Sequence, residues 1–114
     1  MTERKFRQIH LGDMELGLAQ ELALYGLSPA KITALTGITF EVTQDDFDYC
    51  KGALLTTIDG QQFALRSYYR GPKPGLTELI GSRLSKDPKG DARKFIDALG
   101  IPLEHVIISI TDVT

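Results

Sequence analysis

The sequence predicts an α+β fold: a helical N-terminal half, a central β-hairpin, and a C-terminal helix followed by a final β-strand. Three observations carry that expectation. Apolar residues between Asp13 and Cys50 recur at helical spacing in runs that begin and end at capping residues. Two β-prone runs flank Asp59-Gly60, and an apolar run stopped by Gly100 precedes the nearly alternating HVIISITD. At 114 residues, 42% hydrophobic and 25% charged, the chain suits one globular domain over 1–114, large enough to bury a core without metal or disulfide.

In chain order, Phe6, Ile9 and Leu11 among polar neighbours predict a short opening strand or arm. Asp13 then caps an Ala/Leu/Glu-rich run in which Met14, Leu16, Leu18, Leu22 and Leu24 define a first helix to Tyr25, stopped by Gly26. Ser28-Pro29 starts a second helix, since serine accepts from the free first-turn amides and proline fits the first helical position; Ile32 and Leu35 face inward and Gly37 ends it. A third helix is capped by Thr39 and buries Phe40, Thr43, Phe47 and Cys50, with ITFEVT as a strand competitor because Ile38, Phe40 and Val42 alternate.

ALLTTIDGQQFALRSYYR reads as a hairpin, because Asp-Gly supplies the positive φ that a tight turn demands. GPKPG breaks the chain, Thr77 to Leu84 is read as helical, and SKDPKG leads into a last helix capped by Asp91 and stopped by Gly100 and Pro102. In the final strand Val106, Ile108 and Ile110 alternate with His105, Ile107 and Ser109. With Ile107 also apolar, this strand is expected to be covered on both faces or to lie beside another strand in a homodimer.

Charge is unevenly spread. From Leu11 to Cys50 seven acids face Lys31 alone, a formal −6, whereas from Lys51 to Lys94 nine bases face four acids, a formal +5. Such a chain can offer a basic surface to an anion and an acidic one to a basic partner. Cys50 is the only cysteine, which rules out an intrachain disulfide and a Cys-rich zinc site. MTERKFRQIH is charged and no apolar run follows it, so neither a secretory signal nor a membrane span is predicted, and a cytoplasmic location is expected.

Neither catalysis nor a cofactor is expected. His10 and His105 lie far apart and outside any metal-ligand spacing, and Gly71 to Gly75 has no phosphate-cradling pattern. Asp45, Asp46 and Asp48 lack a calcium-loop spacing, and Cys50 falls on an apolar face. The most site-like stretch is RSYYRGPK. There Arg66, Arg70 and Lys73 add charge to the flat faces of Tyr68 and Tyr69, a combination suited to nucleic acid.

The run of helix, turn, helix and hairpin from Asp13 to Arg70, with VTQDDF leading into KGALLTTIDGQQFAL, resembles the winged helix-turn-helix superfamily, in particular small bacterial repressor domains. That resemblance implies transcription-associated nucleic-acid binding. On a third helix, however, Glu41, Gln44, Asp45 and Asp48 face outward, and its carboxylates repel phosphates. Contact with nucleic acid then falls to the basic hairpin, while Glu41, Gln44, Asp45 and Asp48 are the candidate surface for a protein partner. The ending ALGIPLEHVIISITDV is similar to the helix-turn-strand lobe of the tautomerase superfamily. Its catalytic N-terminal proline is replaced here by Thr2 after Met1, so the implied enzyme lacks its nucleophile.

Overall fold

The computed structural model describes residues 5–10, 19–44, 49–68 and 75–112. Their elements run β1 (Phe6–Ile9), β2 (Ala19–Tyr25), α1 (Pro29–Thr36), β3 (Glu41–Gln44), β4 (Tyr49–Thr57), β5 (Gln62–Tyr68), β6 (Thr77–Ser82), α2 (Pro88–Leu99) and β7 (Val106–Ser109). The strands form one antiparallel sheet in the order β1-β4-β5-β6-β2-β7. β3 shares an edge of β4 with β1: β1 pairs with Leu54–Thr57 and β3 with Tyr49–Gly52.

The sheet grows from the β4–β5 hairpin, whose turn holds Gly60 at φ +94°. Alternation along its strands then sorts the side chains by face. Ala53, Leu55, Phe63 and Leu65, with Leu79 of β6, look towards the helices and join one buried cluster with Ile32 of α1 and Phe95 of α2. Phe63 and Phe95 stack with centroids 4.4 Å apart, which ties the hairpin to α2. Gly81 allows this close packing, because a Cβ there would lie 2.8 Å from Leu22 Cδ1 and 3.3 Å from the Phe95 ring. On the opposite face Leu54, Ala64 and Ile80 sit side by side across three strands and are also buried, with Ile9 packed against them.

Both helices are set by local chemistry. Ser28 Oγ accepts from the Lys31 amide at 3.3 Å, Pro29 occupies the first turn, and Gly37 closes α1 at φ +79° by donating to the Thr33 carbonyl. In α2 the cap is Asp87, followed by Pro88, not Asp91 as the sequence indicated; the Asp87 carboxylate accepts from the Gly90 amide at 3.0 Å. Gly100 ends α2 in the left-handed region.

The expected helical N-terminal half is overturned. Residues 19–25 of the expected first helix form β2, and the third helix is replaced by β3 and the start of β4, so the strand competitor at ITFEVT is the conformation found over Glu41–Gln44. Thr77 to Leu84, read as helical, holds β6. β2 and β6 share one cause. Leu22–Tyr25 and Thr77–Gly81 are buried throughout, and a strand covered on both faces loses the alternation of apolar and polar residues by which periodicity tells it from a buried helix. Helix-favouring Ala, Glu and Leu in β2 are outweighed by pairing with β6 on one side and β7 on the other. The helix pair needed for a winged-helix arrangement is therefore missing from residues 19–44, where α1 lies between two strands. No helix among the described residues is long and apolar enough to cross a membrane.

Candidate functional site

The hairpin residues expected to meet nucleic acid are only partly within the described residues. Tyr69, Arg70 and Lys73 lie outside them. Arg66 and Tyr68 share one face of β5, and the Arg66 guanidinium carbon stands 4.9 Å from the Tyr68 ring centre. Register sets Arg66 opposite Glu78 of β6, and Arg66 Nη2 donates to Glu78 Oε2 at 2.7 Å. Both side chains are largely withdrawn from water, at 17% and 12% exposure. Arg66 is thus matched by an internal carboxylate. The sequence contained the signal, since Arg66 and Glu78 become neighbours as soon as TELIGS is read as a strand instead of a helix.

The expected acidic partner surface is likewise only partly within the described residues. Glu41 is exposed on β3 opposite Gly52, and Gln44 ends the same strand opposite Tyr49, while Asp45 and Asp48 lie outside the described residues. Glu41–Gln44 is a strand, so the helix face that would have united Glu41 with Gln44 is not formed.

A polar network fixes the hairpin turn to α2. Lys94 Nζ donates to Asp59 Oδ2 at 3.0 Å and to Gln61 Oε1 at 2.9 Å, and Gln61 Nε2 donates to Asp91 Oδ1 at 2.9 Å. Thr57 Oγ1 also donates to Asp59 Oδ1. The Thr57 hydroxyl first, and then Lys94, hold the Asp59 carboxyl below its ordinary range by favouring the charged form. Asp91, expected as a helix cap, takes part here through its side chain. Deeper in the core, burial pushes the Tyr25 phenol above its ordinary value, and its hydroxyl has no hydrogen-bond partner among the described residues.

The surface best suited to an interaction lies at the open edge of the sheet. β7 pairs with β2 on one side, and among the described residues no strand pairs with the other. Ile107 and Ile108 stay 54% and 58% exposed, and Leu103, in the short 3-10 turn before β7, is 71% exposed. The register with β2 shifts between Leu24 and Tyr25, so β7 is locally irregular, and a Cβ at Gly26 would lie 3.2 Å from the Ile107 side chain. No charged side chain occurs from Val106 to Ser109, whereas the far edge carries Arg7 on β1 and Glu41 on β3. Charge is a usual means of keeping an edge from pairing, and β7 lacks it.

Among the described residues no three His, Cys, Asp or Glu side chains gather as they would around a metal ion, and Cys50 is buried. No protein-family model matches the sequence, and no curated protein or solved structure is significantly similar to it.

Proposed function

We propose that this chain is a non-enzymatic binding protein to which another polypeptide adds as an extra strand at the open edge of β7. The observation behind this reading is the uncharged edge itself, with two isoleucines more than half exposed beside backbone groups that face no strand among the described residues. An incoming strand gains main-chain hydrogen bonds and apolar cover together, the usual basis of recognition by strand addition. Fully burying an isoleucine contributes about 1.5–3 kcal/mol, so covering the exposed halves of two gives roughly the same figure in total. A few backbone hydrogen bonds add about 0.5–1.5 kcal/mol each. Set against an association cost of at least about 4 kcal/mol, this describes a weak, transient contact.

A displayed library of extended octapeptides tests the reading. Binders to the intact chain are expected to raise amide protection at Val106–Ser109 and to be lost on Ile107→Lys plus Ile108→Lys. A library with no binder that protects those amides refutes it.

A further inference from the structure

Away from β7, a groove of about 540 Å³ lies between the start of β1 and the ends of both helices. Leu35 and Thr36, the last residues of α1, form one wall; Asp97 to Pro102, the end of α2 and the turn after it, form another; Lys5 and Phe6 complete it. Its volume falls within the roughly 300–1,000 Å³ of small-molecule sites. Phe6 and Ile101 are buried at its floor, while Leu35 stays 55% exposed at its margin.

Its electrostatics are one-sided. A helix C-terminus carries about half a negative charge, and two such ends border this groove. Helices commonly place Lys, Arg or His in the last turn to balance that charge, yet neither α1 nor α2 has a basic residue there. The last turn of α2 instead contains Asp97, of the sign that a C-terminus disfavours. A choice that breaks a local rule is an expected mark of function. Lys5 reaches Asp97 at 3.1 Å, but the two side chains are 59% and 70% exposed, so water screens the pair and a competing cation can take its place.

We infer that this groove binds a small organic ammonium ion, with its apolar body against Phe6, Leu35 and Ile101 and its charged nitrogen at Asp97 between the two helix ends. An anion of the same shape meets Asp97 and two negative helix termini, with only Lys5 in its favour among the described lining residues. The inference is independent of strand addition at β7.

The experiment is a ¹⁵N–¹H correlation titration of the whole chain with 2-phenylethylamine, and in parallel with 3-phenylpropionate as the anion of similar size. The amine is expected to shift the amides of Phe6, Leu35 to Gly37 and Asp97 to Ile101 saturably, less so as salt rises, and to bind more tightly than the anion. Asp97→Asn is expected to weaken the amine about three- to fivefold, the scale of one exposed ion pair. Equal binding of the anion, shifts that map elsewhere, or no saturable shift overturns the inference. Since the comparison of amine with anion needs only the unsubstituted chain, a poorly folded Asp97→Asn variant leaves the test decisive.

Discussion

Replacing Arg66 by alanine separates two accounts of this residue, as a phosphate contact and as half of an internal ion pair. With its side chain 12% exposed, Glu78 keeps a carboxylate that has little water to stabilise it once the 2.7 Å partner is removed. Breaking such a pair costs about 3–5 kcal/mol, and the residual exposure on both sides argues for the lower end, about 3 kcal/mol. That is a large part of the roughly 5–15 kcal/mol that stabilises an ordinary domain. At this size about 4 °C of melting temperature accompanies each kcal/mol, so the expected fall is about 12 °C. Arg66→Met with Glu78→Leu removes both charges and keeps apolar volume, and is expected to lie within about 1 kcal/mol of the parent or above it. Urea unfolding followed by circular dichroism gives all three free energies. A loss below about 1 kcal/mol for Arg66→Ala, or a double variant no better than the single, refutes the internal pair; fluorescence anisotropy with labelled duplex DNA at low salt would then reopen Arg66 as a phosphate contact.

Other substitutions test separate parts of the fold. Phe95→Ala, which removes the ring stacked on Phe63, is expected to cost about 3–5 kcal/mol in the same urea assay. Ser28→Ala leaves the Lys31 amide without its cap and should cost about 1 kcal/mol. Tyr25→Phe removes a buried hydroxyl that has no partner among the described residues, so stability should hold or rise by about 1 kcal/mol; a clear loss would show that the hydroxyl is satisfied. Because the folded-state pKa of Asp59 is lowered, its contribution is present above the ordinary carboxylate range and is lost as pH falls through the folded value. The gap in melting temperature between the parent and Asp59→Asn should therefore be widest near neutrality and close in acid; a gap independent of pH would contradict the ion pair with Lys94.

What could be read from the sequence was what neighbouring residues decide. Asp59-Gly60 marks a turn because glycine accepts positive φ, and Ser28-Pro29 and Gly100 bound helices through bonds made within a few residues. β2 and β6 escaped because each is paired with the other across more than fifty positions of chain. With β6 read as a helix, Arg66 lost its partner and looked like a surface cation. In β7 the interrupted alternation at Ile107 led to two expectations, cover on both faces or a second strand alongside; Ile107 and Ile108, more than half exposed, do not fit the first. The groove gave no such sign. Lys5, Leu35 and Asp97 are separated by long stretches of chain, and nothing local records that two helices end at one place.

The position of β2 also sets the order in which the protein can be completed during synthesis. Leu24 is aligned with Glu78 on one side and with Ile108 on the other, 54 and 84 positions further along the chain. At roughly 5–20 residues per second, a ribosome delivers the second partner about 4–17 s after Leu24 itself is made. Until β6 is made AQELALY has only its immediate neighbours to bond with, and its composition favours a fleeting helical turn that must be undone before the strand docks. A nascent chain stalled short of Val106 would therefore hold β2 with one side unpaired and leave it open to capture by a neighbouring chain on the same message.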